Sequence, residues 1–389
     1  MTVLYVSDFD LRGSGYMNIA VALCSQLTNR GHDVIALGMG YQGQEHDHPF
    51  RIVPAKLFQI PQMIALLKKS IEIEAIVVAL DIPLQEALME KLNAPSDTPY
   101  IGLFPLEGPP LCMSWAVQLM RMNARLCMSK FGVEEMAACG VPSTFIPIGV
   151  DCEAWRPATP DERAAVRLAL GMPDDTFIVL TVADNQERKN LSRAMEIFAH
   201  FSLDGIKKDS RGAIIESESR RNTQWHLVTR PTSPVGWKLQ DYAMRLNVPE
   251  RIMMYNRGIP FKSLWSLFVA ADAFLLTSKA EGLAMPVLEA MATRLPVIGT
   301  DCCAIHEHLQ DGRGLMITPD YVMADPWGNS RRYMAGLESG VETMERLAAM
   351  PDGERETMLD KAQAYVQERT WDKAADVLEM TIKEAVEKG

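Results

Sequence analysis

The stretch from Ala273 to Ile317 constrains the fold of this chain more than any other. An apolar strand, Ala273 to Thr277, leads into a loop, a helix is expected over 286–294, and a second strand, Pro296 to Thr300, leads out. Pro286 suits the first helical turn, where its missing N–H removes no hydrogen bond. Val287, Leu288 and Met291 supply the helix with an apolar side. The loop between strand and helix lies at the carboxyl end of a parallel strand, where open α/β sheets bind ligands. It carries Glu281 and Gly282, and Glu289 follows in the first turns of the helix. Backbone N–H groups at a helix start favour an anion such as phosphate, and an acid on either side can accept from paired hydroxyls. A sugar at one end and a ribose at the other fit that layout, which is that of a nucleotide-sugar. A surface helix with two solvated acids is the plainer reading, and the ordered glycine, proline and strands argue against it.

Length and charge set the frame. A chain of 389 residues is long enough for two or three domains. Its 48% apolar and 23% charged residues mark a soluble globular protein, and a net charge of −11 argues against a large basic face for nucleic acid. No apolar run reaches the roughly 18 residues that a membrane span needs. The opening MTVLYVSDFD reads as a buried first strand rather than a leader. Seven scattered cysteines without a C-x-x-C pair, Cys302 and Cys303 being adjacent, point to a reduced, cytoplasmic setting.

In order, the chain reads as two α/β halves. Thr2 to Ser7 is a strand, Gly13-Ser14-Gly15 a turn, Tyr16 to Thr28 an amphipathic helix and Val34 to Leu37 a second strand. Two glycines stand where a dinucleotide fingerprint has three, and no acid ends the second strand, so this is no NAD signature. The glycines either serve turn geometry alone or face a ligand. Glu45-His46-Asp47-His48 reads as a solvated loop rather than a metal set. Helices near Gln59 to Ser70 and Leu84 to Asn93 alternate with strands Ala75 to Leu80 and Tyr100 to Phe104. The stiff loop Pro105 to Pro110 then holds Glu107.

Ile146 to Asp151, followed by Trp155-Arg156-Pro157, marks a boundary, because a fresh strand–helix series begins after it. Strand Phe177 to Ala183 opens that series, and the loop Asp184 to Asn190 carries Arg188 and Lys189 before a helix to Leu203. Cations are unfavourable at a helix N-terminus, so their presence points to an anionic ligand. Residues 204–224 read as an exposed polar excursion. Strands Trp225 to Thr229 and Ile252 to Tyr255, then Asn256-Arg257-Gly258 and helix Phe261 to Ala270, return the chain to the opening stretch. His306-Glu307-His308 lacks a visible third metal ligand. Beyond Pro319 the chain runs through Trp327 and Arg331-Arg332 into terminal helices. No G-x-S-x-G, phosphate-binding P-loop or metal-ligand set is present.

The order Ser278, Glu281-Gly282, Pro286, Glu289-Ala290-Met291-Ala292, Pro296-Val297-Ile298, Thr300-Asp301, Glu307, Asp311-Gly312 and Gly314 resembles the E-x7-E signature of retaining, group 1 (family 4) glycosyltransferases. About forty residues match in sequence, and a looser match spans nearly the whole chain. The resemblance implies an α/β GT-B fold, two Rossmann-like α/β/α domains facing a cleft. Residues 1–150 would form the acceptor-side domain and 151–370 the donor domain, with the helix 371–389 crossing back to the first. It implies a metal-independent hexosyltransferase, without a cofactor, that moves a sugar from a UDP- or GDP-linked donor to an acceptor that is a glycan, a lipid-linked group or a protein. No nucleic-acid partner is implied, and peripheral membrane contact is compatible with the small basic groups Lys68-Lys69, Lys207-Lys208 and Arg220-Arg221.

By the same resemblance, Lys189, assisted by Arg188, clamps the diphosphate, Glu281 meets the donor sugar and Glu289 the ribose. Gly282, Leu283, Ala284, Asn256 and Gly258 belong to donor binding, the base lying against backbone near Gly258. Gly13, Gly15 and Glu107 belong to the acceptor side. The chain departs from the family in three places. Asp184 stands at an arginine position, Glu107 is the nearest ionisable group where many relatives have a histidine, and Ile148 replaces the linker asparagine. A nucleotide-sugar epimerase on the same fold, and a sugar- or nucleotide-binding protein without catalysis, remain alternatives.

Overall fold

Runs such as Val3 to Val6 and Ala75 to Ala79 are buried along their whole length. Only strands covered on both faces tolerate such continuous apolar sequence, which is the mark of a parallel sheet between helix layers. The computed structural model describes residues 1–10, 13–92, 97–203, 207–208, 214–215, 221–234, 236–326 and 328–388. It divides into two compact units. One comprises Met1–Gly149, Pro326–Ser330 and Arg369–Gly389, the other Val150–Asp325 and Arg331–Glu368.

In the first unit, β1 (Thr2–Asp8), β2 (Asp33–Met39), β3 (Arg51–Ala55), β4 (Ala75–Ala79), β5 (Tyr100–Phe104), β6 (Ala124–Cys127) and β7 (Thr144–Phe145) form one parallel sheet. Their order is β3-β2-β1-β4-β5-β6-β7. The chain winds outward to β3 and returns to the far side of β1 for β4, the doubly wound pattern. The edge strand β3 has no counterpart in the sequence reading. Pro54 and its partly exposed residues hide it, and an edge is where a strand accepts a proline.

Ser14 caps helix Gly15–Asn29, its Oγ accepting from the Met17 N–H at 3.0 Å, and Gly13 takes φ +77° just before it. The helix Trp371–Lys388 packs on helix Gly15–Asn29 within this unit. Arg30 there reaches Asp372 (2.6 Å), Asp376 (2.7 Å) and Glu379 (3.1 Å). A Cβ on Gly149 would lie 2.5 Å from the Trp371 amide nitrogen, so only glycine permits that approach. The Glu45–His48 loop is less solvated than the sequence suggests. His46 stacks on His48 at 5.1 Å and His48 on Phe50 at 5.4 Å, and burial lowers the His48 pKa.

The second unit repeats the winding. Its strands are β8 (Phe177–Val182), β11 (Thr223–Thr229), β12 (Ile252–Asn256), β13 (Ala273–Leu276), β14 (Val297–Thr300) and β15 (Leu315–Ile317). They are parallel, in the order β12-β11-β8-β13-β14-β15, so the winding reverses between β8 and β13. Between β8 and β11 lie two short strands, β9 (Lys207–Lys208) and β10 (Ile214–Ile215), paired antiparallel. After β15 comes an antiparallel hairpin, β16 (Pro319–Ala324) with β17 (Arg331–Ala335). Most of the polar stretch 204–224, Arg220 and Trp327 lie outside the described residues. Among those described, no helix is long and apolar enough to cross a membrane.

Thr181 joins three neighbouring strands: its Oγ1 donates to the Leu275 carbonyl (2.7 Å) and accepts from Trp225 Nε1 (3.1 Å). At the amino edge of the same sheet, Asp272 accepts from Arg163 (2.6 Å), Arg167 (3.3 Å) and the Ile178 N–H (2.8 Å). Arg167 is almost fully buried. Removing one partner of a buried ion pair leaves an uncompensated charge. Asp272→Ala is therefore expected to lower the unfolding free energy by about 3–5 kcal/mol, measured by denaturant titration, with Asp272→Asn costing less.

Candidate active site at the strand reversal of the second unit

The winding of the second sheet reverses between β8 and β13, and the loops after these two strands carry the charged groups that the sequence singles out. After β8, residues Glu187–Lys189 form one tight turn, and Asn190 enters the left-handed region (φ +53°) to start helix Leu191–Ser202. After β13, Thr277 to Ala284 run to helix Met285–Ala292. Hydrogen bonds to backbone carbonyls stitch the two loops together. The Lys279 N–H donates to the Arg188 carbonyl (2.8 Å), Thr277 Oγ1 to the Asn190 carbonyl (3.0 Å), and Arg188 Nη1 to the Ala280 carbonyl (2.7 Å).

Glu281 closes this arrangement. Its Oε1 accepts from Lys189 Nζ (2.6 Å) and Ser278 Oγ (2.6 Å), and its Oε2 from Arg188 Nη1 (2.9 Å). Only 4% of the residue is exposed. Burial by itself would raise its pKa, but the adjacent Lys189 and Arg188 charges outweigh that and hold it at about 2. The structure thus brings Lys189, Arg188 and Glu281 together. The sequence suggested an anion near the two cations; Glu281 is an internal one. A carboxylate has about four lone-pair directions, and three hydrogen bonds reach this one.

Glu289 is a contrast. It is 6% exposed, and among the described residues no hydrogen-bond or ionic partner meets its carboxylate. Burial alone raises its pKa to about 7. Gly282, Leu283 and Ala284, all buried, connect the two acids. Ala284 takes φ +59° and no side chain caps the helix that follows, with Pro286 in its first turn. His308 fixes this loop from behind: its Nε2 lies 2.5 Å from the Leu283 carbonyl and its Nδ1 2.9 Å from Tyr365 Oη. Nε2 therefore carries the proton and Nδ1 accepts from the tyrosine. Arg313 covers the Tyr365 ring at 4.4 Å. His306 turns the other way, to Asp301 at 2.6 Å, so the two histidines do not converge.

Asp184 occupies the start of the β8 loop. It accepts from Arg230 Nε (2.8 Å) and Nη2 and from Arg257 Nη1 (3.2 Å), which, together with the Asn185 N–H, lower its pKa although burial opposes them. Asn256 ends β12 and Gly258 follows at φ +82°, both exposed; β12 is separated from β8 by β11. Gly13, Gly15 and Glu107 lie in the first unit, after β1 and β5, with Glu107 half-buried. Sequence reasoning missed His308 and the two arginines. Arg230 and Arg257 each directly follow a strand, and that position was the available signal.

The depressed pKa of Glu281 has a definite sign. Its contribution is fully present above the unfolded value near 4.5 and is lost as pH falls toward about 2. Glu281→Gln should destabilise the second unit by about 3–5 kcal/mol at pH 7. The gap from the wild type should shrink steadily in denaturant titrations between pH 4.5 and the lowest pH at which the protein folds.

Residues 162–324 match the family model described as glycosyl transferases group 1, a span that holds both loops and both acids. Alpha-galactosylglucosyldiacylglycerol synthase of Streptococcus pneumoniae is 24% identical over 187 residues, 46% of this chain and 44% of that protein. The chain spans about half the length of the curated relatives it matches. Sucrose-phosphate synthase from Thermosynechococcus elongatus superposes with a TM-score of 0.77 at 15% identity, covering 100% of both chains. Anabaena Alr3699/HepE in complex with UDP and glucose gives 0.69 at 14% identity, covering 99% of this chain and 100% of that one. At such identities the structures speak for the fold, which is GT-B. Within its second unit, residues 162–324 of this chain are similar to the group 1 glycosyl transferases.

Proposed function

We propose that the protein is a retaining hexosyltransferase that moves a sugar from a UDP- or GDP-linked donor to an acceptor hydroxyl without a metal. The observation that carries this reading is the cluster of Glu281, Lys189 and Arg188 at the sheet reversal, beside a helix start that no side chain caps. The cluster gathers two cations where a diphosphate would lie. Fixed positive groups aimed at a leaving phosphate stabilise the charge that grows there in the transition state. Lys189 and Arg188 take that role, while Glu281 positions them and offers its remaining lone-pair direction to a hydroxyl of the donor sugar. The amides of Gly282 to Ala284 and the helix start add to the anion's binding. Neither glutamate is a general base in this reading. The names of several relatives contain diacylglycerol, phosphatidylinositol or lipopolysaccharide, which favours an acceptor carried on a lipid.

The protein is to be incubated with UDP- and GDP-hexoses and a panel of glycan, glycolipid and peptide acceptors. We expect release of nucleoside diphosphate together with a glycoside whose anomeric configuration, read by NMR, matches the donor. Lys189→Ala should lower kcat by about 10²–10³. Release without any new glycoside, or a changed donor sugar recovered still attached to its nucleotide, would speak for hydrolysis or epimerisation instead.

Glu289 supplies a second test. Ribose hydroxyls donate to its carboxylate form, and burial holds the empty site at a pKa of about 7. Donor binding then expels a proton at lower pH. Nucleoside diphosphate affinity should fall by up to about tenfold per pH unit as pH drops below 7, and this part of the pH dependence should vanish in Glu289→Gln, measured by titration calorimetry. An identical profile in the variant would dissociate Glu289 from the ribose.

A further inference from the structure

Three strand ends on one side of the sheet reversal hold a charged group that the reading above leaves unused. Asp184 follows β8, Arg230 follows β11 and Arg257 follows β12, strands that are neighbours in the order β12-β11-β8. Arg230 grips Asp184 side-on through Nε and Nη2, and Arg257 adds Nη1 to the same carboxylate. The loop bearing Asp184 is itself anchored. Asn185, 1% exposed, donates from Nδ2 to the Trp237 carbonyl (2.8 Å) and accepts from the Trp237 N–H at Oδ1 (2.8 Å).

The placement is informative in three ways. The carboxyl ends of parallel strands are where an open α/β sheet binds its ligand. Two arginines from neighbouring strands also converge on this one carboxylate. Exposure also rises outward, from 15% for the Asp184 side chain to 21% for Arg257 and 43% for Arg230, so the acid is the foundation and the guanidinium groups the accessible part. A guanidinium carries five N–H donors in one plane and suits phosphate oxygens better than an ammonium does. Asp184 opens the same loop that ends in Arg188 and Lys189, which ties this group to the cluster around Glu281.

We propose that Arg230 and Arg257, held in place by Asp184, bind the diphosphate of the nucleotide donor as a second cationic arm of the site, with Asp184 as their positioning residue. The assignment rests on the donor site proposed above. It extends that site from the β8–β13 side of the sheet to the β11 and β12 ends.

Titration calorimetry on the full chain with UDP, GDP, ADP and inorganic pyrophosphate, and with the matching nucleosides, separates the possibilities. Arg230→Gln and Arg257→Gln should each weaken the preferred nucleoside diphosphate by about 10- to 100-fold and leave the nucleoside unchanged. Arg230→Asp should lose diphosphate binding further, and the exchanged pair Asp184→Arg with Arg230→Asp should recover most of it by restoring one arginine against one acid. That exchange also guards against misfolding, because it rebuilds the ion pair. Folded glutamine variants that bind every diphosphate as the wild type does would overturn the assignment and leave the Glu281 site intact. A wild-type protein that binds none of the four phosphate probes would overturn both.

Discussion

The second unit depends on how one buried carboxylate is compensated. Glu281 sits almost fully out of water, where an uncompensated charge is costly, and Lys189, Arg188 and Ser278 meet it from three directions. Because the two cations follow β8 and the acid follows β13, the ion cluster spans the point where the sheet reverses its winding. Sheet topology opens a gap between diverging loops there, and the cluster ties those loops together. The same contacts that fix the loops gather two cations and a carboxylate at the strand ends.

The two glutamates of the signature have the same chemistry and opposite surroundings. Glu281 is surrounded by donors and held ionised far below neutral pH, whereas Glu289 is buried without a partner among the described residues and titrates near 7. The first therefore organises the protein's own charges, and burial alone sets the state of the second. His308 supports both from behind, since the Leu283 carbonyl it holds lies in the short loop between them.

Asp184 shows how a single reversed charge is absorbed. Taken alone it would repel a phosphate from the strand ends. Arg230 and Arg257 converge on it from neighbouring strands, and its carboxylate becomes a support for two guanidinium groups. No residue near Asp184 in sequence announces this pairing.

Much of this was legible in the residues themselves. Parallel strands buried on both faces read as apolar runs, so the two α/β halves, most strands and the helix after Pro286 followed from pattern alone. Glu281 and Glu289 stood out because glycine, proline and flanking strands give them a local frame. Strand β3 and the hairpin of β16 and β17 escaped because edge and exposed strands carry mixed residues without a decisive period. What the sequence determined, then, were features set by neighbours within a few residues: which segments form strands and helices, and where the acids fall on them. Only the tertiary structure decided which charges meet. The pairing of Glu281 with Lys189 spans 92 residues, that of Asp184 with Arg257 spans 73, and that of Leu283 with His308 spans 25. Such pairings, and the protonation states they impose, depend on strand order and burial, which no local stretch of sequence encodes.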